Sequence, residues 1–152
     1  MSISNCMKLD VVSIPDTSTI RETADVFVKK HIGLLPVLDK DSRVVGVVSL
    51  RHLLSLELPD FINFIADLDY VHDFGAVETT RPSAEVLDRP ITTLMNPAIS
   101  VPETAGLLRT YALLLQHNLH DMPVVSAEGK LVGIASRVDI GTAILSAWAQ
   151  VA

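Results

Sequence analysis

Residues 13–54 read SIPDTSTIRETADVFVKKHIGLLPVLDKDSRVVGVVSLRHLL, and residues 100–141 read SVPETAGLLRTYALLLQHNLHDMPVVSAEGKLVGIASRVDIG. Laid over one another without a gap, the two stretches bring Pro15 onto Pro102, Pro36 onto Pro123, Gly46 onto Gly133 and Ser49 onto Ser136. The offset is 87 residues at each of these positions, as Pro15 to Pro102 shows. Proline and glycine punctuate chain geometry. A register held through all of these positions is therefore an internal structural repeat.

Each copy spells the same small unit. A short strand, at 11–14 or 99–101, runs into a proline. A helix follows, with Thr17 or Ser18 as cap in the first copy and Thr104 in the second. Ile20, Ala24, Phe27 and Val28 share one face of the first helix, and Leu107, Leu108, Leu114 and Leu115 form a wider stripe on the second. Then come LLPVLD or DMPVVS, a turn at KDSR or AEGK, and the glycine-marked runs VVGVVS or LVGIAS. Such β-branched apolar runs predict strands covered on both faces. A second helix starts at Leu50 or Arg137. The order is β-α-β-β-α, so the fold class is α/β (α+β).

Composition narrows the function classes. With 152 residues, the chain is the size of one domain or two very small ones. Hydrophobic residues make up 49% and aromatic residues 5%, so the core is aliphatic. The mean hydropathy of +0.39 is high for so short a chain and predicts either an unusually large core or apolar surface buried against another subunit. The net charge of −6 offers no basic stripe for nucleic acid. The apolar stretch 107–119 is broken by Arg109, Gln116, His117 and Asn118 and is shorter than the roughly 20 residues of a membrane helix. The N-terminal residues lack a charged-then-apolar signal pattern. A single cysteine, Cys6, excludes an internal disulfide and suits a reducing cytoplasm.

The repeated motifs, with the lead-in ITTLMNPAISVP at 91–102, resemble a tandem pair of CBS domains, the arrangement called a Bateman module. The resemblance covers about two thirds of the chain. It divides the sequence into repeat one at 1–56, an inter-repeat helical insertion and loop at 57–90, and repeat two at 91–152. It implies two β-α-β-β-α repeats packed sheet to sheet with pseudo-twofold symmetry, a cleft that takes adenosine-containing ligands, and homodimers formed through helices. It also implies a motif of glycine, two apolar residues, Ser or Thr, two variable residues and Asp. In that family the carboxylate holds the ribose hydroxyls. Repeat two matches in full, from Gly133 and Ile134 through Ser136 and Arg137 to Asp139. Repeat one keeps Gly46 and Ser49, then Arg51, but carries His52 where the acid belongs.

The resemblance implies a ligand site of Gly133, Ile134, Ser136, Arg137 and Asp139, with Ser100 and the pre-proline residues His120, Asp121 and Met122. A weaker second site falls on Ser49, Arg51 and His52. Basic groups near the cleft are few, which favours AMP, ADP or S-adenosylmethionine over ATP. Ser-x-x-Asp also spells a capping box, in which Ser136 caps the helix and Asp139 reaches back. The two roles are compatible if Asp139 keeps a face toward the cleft. A neutral imidazole at His52 has one acceptor and does not grip a diol as a carboxylate does.

His117, His120 and Asp121 lack the further spaced ligand that a metal site needs. His72 and Asp73 form an isolated pair, and no nucleophile stands with a base and an acid at a recognised spacing, so no enzymatic activity is expected. In the insertion, Pro59, Phe61, Ile62, Ile65 and Leu68 predict an amphipathic helix. Ile140, Ile144, Leu145 and Trp148, with the small residues Gly141, Ala143 and Ala147, predict a helical contact face for a second copy. The leading expectation is a regulatory module that senses an adenosine-containing ligand and reports to a separate, unknown protein, with no required cofactor. The rival is a ligand-free dimerisation module.

Overall fold

The computed structural model describes residues 1–57 and 81–150. The expected insertion helix and the His72–Asp73 pair lie outside them. Repeat one contains β1 (Ile14–Pro15), α1 (Ile20–Lys30), β2 (Leu34–Leu38), β3 (Val44–Ser49) and α2 (Leu50–Leu54). After the short helix α3 (Ala84–Leu87), repeat two contains β4 (Val101–Pro102), α4 (Leu107–Gln116), β5 (Asp121–Val125), β6 (Leu131–Ser136) and α5 (Arg137–Ala149). Each repeat forms a three-stranded sheet in which the first strand runs parallel to the second and the third antiparallel to it.

The 87-residue register survives in three dimensions. Ile14 pairs with Val37 and Val101 with Val124; Val37 pairs with Gly46 and Val124 with Gly133. Both sheets carry an irregularity directly after the glycine pair. Pro36 and Pro123 sit inside β2 and β5 and do not open them.

The helix starts differ from expectation. Thr19, not Thr17 or Ser18, caps α1; its hydroxyl accepts from the Glu22 N–H while Glu22 reaches back. Gly106, not Thr104, precedes α4. The buried faces also differ from the expected stripes. Ile20, Thr23 and Phe27 are buried in α1, and Leu107, Thr110 and Leu114 in α4. Val28, Leu108 and Leu115 therefore face outward. The buried threonines satisfy their hydroxyls by donating one turn back, Thr23 to the Thr19 carbonyl at 2.7 Å and Thr110 to the Gly106 carbonyl at 2.8 Å. The two glycine-marked strands are also less enclosed than expected. In β3 and β6 the glycine and the residue two further on are buried, and their neighbours are half-buried or exposed.

The lead-in segments cross over. Residues before β1 pack on repeat two, and residues before β4 pack on repeat one. Ile3, at the start of a single 3₁₀ turn, is fully buried with Val101, Leu114, Met122, Val124 and Ile140. Ile91, in the matching turn, is buried with Ile20, Phe27, Leu35 and Val48. Backbone pairs seal the exchange. Lys8 and Ile134 trade two hydrogen bonds at 2.8 and 2.9 Å, and Asn96 and Val47 trade two at 2.9 Å. Neither core is complete without the lead-in of the other repeat.

The motif glycines permit this crossing. A Cβ on Gly133 would lie 2.6 Å from Met7 Sδ and 2.9 Å from the Lys8 carbonyl oxygen. A Cβ on Gly46 would meet Met95 Sδ at 2.6 Å and the Asn96 oxygen at 2.9 Å. Glycine is required here for close approach of two backbones.

Candidate functional site

Strand β6 ends at Ser136, and its backbone delivers the next residues to the start of α5. The Asp139 N–H donates to Ser136 Oγ at 3.0 Å, and the Ser136 N–H donates to Asp139 Oδ2 at 3.0 Å. This is a complete capping box. Asp139 thus reaches back onto the cap instead of pointing wholly outward. Its Oδ2 also lies 3.6 Å from the Lys8 ammonium, brought there by the crossing lead-in. Arg137 turns away from that pair, and its Nε donates to the Leu119 carbonyl at 2.6 Å.

Asp121, at the start of β5, pairs with Ser136 in the sheet. Burial pushes its carboxyl up from the ordinary range; nearby Lys8 and His120 oppose that, and Asp139 adds to it. Burial, with Asp139 adding, also pushes the Cys6 thiol up. Cys6, Lys8, Asp121 and Asp139 are therefore electrostatic neighbours. Met122 is fully buried and serves the core, and Gly133 is buried beneath the crossing lead-in. Ser100 is exposed beside β4.

In repeat one, Ser49 caps α2 by accepting from the His52 N–H at 3.1 Å. The missing acid changes what the lead-in meets. Asn96, the counterpart of Lys8 in the crossing, places its amide nitrogen 2.7 Å from His52 Nε2. A cleft of about 820 Å³ opens at this end. Ser49, Arg51, His52 and Asn96 form one wall, and His117, His120 and Asp121 of repeat two face them. The structure thus gathers the weaker repeat-one set with His120 and Asp121 in one concavity, within the volume range of small-molecule sites.

The CBS domain family matches residues 3–58 and again residues 90–146. The chain belongs to the CBS domain family. It is 29% identical over 143 residues to the CBS domain-containing protein CBSX1, chloroplastic, of Arabidopsis thaliana, across 91% of this chain and 61% of that protein. The chain therefore spans less than two thirds of that relative. It is 27% identical to an uncharacterized Methanocaldococcus jannaschii protein over 95% of this chain and 92% of the relative. Among solved structures, it resembles CBSX2 in complex with AMP, with a TM-score of 0.71 and 25% identity over 97% of this chain and 98% of that one.

Within this CBS pair, sequence reasoning missed Lys8 and Asn96. The signal was present as ISNCMK at 3–8 and ITTLMN at 91–96. These two segments repeat with Ile3 on Ile91 and Met7 on Met95, an offset of 88, one residue out of step with the rest. The helical contact face is half core: Ile140 is fully buried and Ile144 packs on the core, whereas Leu145 and Trp148 are exposed. An apolar groove of about 410 Å³ runs between α4 and α5, past Leu108, Ile144 and Trp148. Among the described residues, no helix is long and apolar enough to cross a membrane.

Proposed function

We propose that this CBS pair is a regulatory module whose inter-repeat cleft binds an adenosine-containing ligand of the AMP or ADP type, with S-adenosylmethionine the other candidate. The observation that carries the reading is the cleft, where polar groups from both repeats converge in about 820 Å³. The AMP complex of CBSX2, on a matching fold, supports the ligand class. A ligand that touches Ser49, Arg51 and His52 on one wall and His120 and Asp121 on the other bridges the repeats. It favours one relative arrangement and so shifts the population.

The proposed site joins the cleft-lining Ser49, Arg51, His52, His120 and Asp121 to Gly133, Ile134, Ser136, Arg137 and Asp139, which lie outside the cleft's lining. No catalytic step is assigned. The output passes to a separate regulated protein in a reducing, cytoplasmic setting, and the unit is a homodimer. Leu108, Leu145 and Trp148, apolar and exposed on neighbouring helices, support the dimer.

A ligand-free dimerisation module is the second reading. Its support is the engagement of Asp139 by Ser136 and Lys8, together with histidine in place of the acid in repeat one. A thermal-shift series with AMP, ADP, ATP and S-adenosylmethionine separates the two. The regulatory reading predicts stabilisation that grows with concentration, about 5–10 °C at a hundredfold excess over Kd. No shift with any of the four compounds would leave the dimerisation module.

A further inference from the structure

Three histidines line the cleft: His52 from repeat one, His117 at the end of α4, and His120 directly before β5. The other ionisable groups of the lining are one guanidinium, Arg51, and one carboxylate, Asp121. With neutral imidazoles these two cancel. Each imidazole that takes a proton then adds one positive unit, and imidazole changes charge between about pH 5 and 8. Burial raises the Asp121 carboxyl, so its own protonation moves the balance the same way. The charged groups behind the lining are Lys8 and Asp139, an ion pair 3.6 Å apart beside Asp121, and Arg137, whose Nε holds the Leu119 carbonyl. None of them is a histidine.

The surroundings of His52 suit a change of charge. Asn96 Nδ2 lies 2.7 Å from Nε2 and 3.0 Å from Nδ1 of the ring, and Ser49 Oγ lies 3.4 Å from Nδ1. These partners are neutral. The amide offers a donor to a neutral ring and, turned over, an acceptor to an imidazolium. Lys8, the cation at the equivalent place in repeat two, would oppose a charge on His52 if it stood there. His117 and His120 are exposed, so they take protons without leaving water.

We propose that the cleft couples ligand binding to proton uptake: His52, His117 and His120 hold the anionic group of the ligand in their protonated form, so the module reads pH together with the ligand. The inference rests on the cleft being an adenosine site. Among the described residues, no three His, Cys, Asp or Glu side chains are placed to hold a metal ion, so a proton and an anion are the partners left to these rings.

The test is calorimetric titration of adenosine and AMP at about pH 6 and about pH 8, in paired buffers of different ionisation enthalpy, which count the protons taken up. The parent chain is compared with His52→Gln and with the double variant His117→Gln/His120→Gln. Both histidines of the double variant are exposed, so its fold is retained. A phosphate also changes charge near pH 6, and comparison at equal pH cancels that contribution. In the parent, the ratio of AMP to adenosine affinity is expected to be about tenfold higher at the lower pH, with protons taken up on AMP binding. Each variant is expected to reduce both the rise and the uptake. No rise in the parent, or an equal rise in the parent and both variants, would overturn the inference. Variants that weaken adenosine and AMP alike would make the histidines structural and overturn it too. Each of these results leaves the adenosine site standing. No binding of either compound to the parent at either pH removes the inference and the adenosine reading together.

Discussion

Lys8 Nζ lies 3.6 Å from Asp139 Oδ2, although 131 positions separate the two residues in sequence (139 less 8). The contact exists because the lead-in of repeat one, ahead of β1, pairs with β6 of repeat two. The reciprocal contact joins Asn96 to His52. The fold and the Asp139 and His52 contacts are thus set by one topological device, the exchange of lead-ins.

The exchange predicts that neither repeat is stable alone. Ile3 and Ile91 are both fully buried, each in the core of the opposite repeat. Ile3→Ala and Ile91→Ala are each expected to cost about 2–5 kcal/mol, the usual range for such truncations. Urea unfolding followed by circular dichroism should show one cooperative transition moved to lower midpoint in both variants. Two separate transitions, with only one of them moved, would show that the repeats unfold independently.

Gly46→Ala and Gly133→Ala are expected to destabilise by about 1–3 kcal/mol through overpacking. The methionine thioether can swing aside, but the backbone oxygen 2.9 Å from each added methyl cannot. Adding Met95→Ala to Gly46→Ala should therefore recover only part of the lost Tm. Full recovery would mean that the side chain alone sets the glycine requirement.

Asp121 gives a pH signature. Its folded-state carboxyl is raised, chiefly by burial. A raised acid favours folding below its unfolded pKa, and that contribution is lost as pH rises through the folded value. Asp121→Asn removes the penalty at pH 7, so its Tm should exceed the parent's by about 1–3 °C there. The gap should close as pH falls below the ordinary carboxylate range. A gap that stays constant with pH would assign the effect to packing.

Much of this is legible in the sequence. The β-α-β-β-α order, the 87-residue register and the capping box of Ser136 with Asp139 all follow from local pattern, because turns, caps and strand periodicity are local properties. The threonine and serine signals at 17, 18 and 104 set the helix starts too early, although Thr19-x-x-Glu22 already spells the better cap. Reading the helix faces from apolar residues alone puts Val28, Leu108 and Leu115 on the buried face, where the structure exposes them and buries Thr23 and Thr110 instead. What stays hidden is long-range. The pairing of Lys8 with Ile134 leaves no periodic trace, and the one-residue slip in the lead-ins conceals the match of Met7 with Met95.

The exposed apolar residues of α4 and α5 predict self-association. Trp148 is 68% exposed and Leu108 is 74% exposed beside the apolar groove. Light scattering at micromolar concentration should report a dimer for the parent chain. Trp148→Asp should shift it to monomer with little change in circular dichroism, and a monomeric parent would contradict the assignment.

The measurement that bears most directly on the regulatory reading is a calorimetric titration of AMP into the purified chain. Saturable binding with a Kd below about 1 mM, weakened in Asp139→Ala, is the predicted result. The absence of saturable heat up to millimolar AMP, ADP and S-adenosylmethionine would contradict the ligand-sensing account.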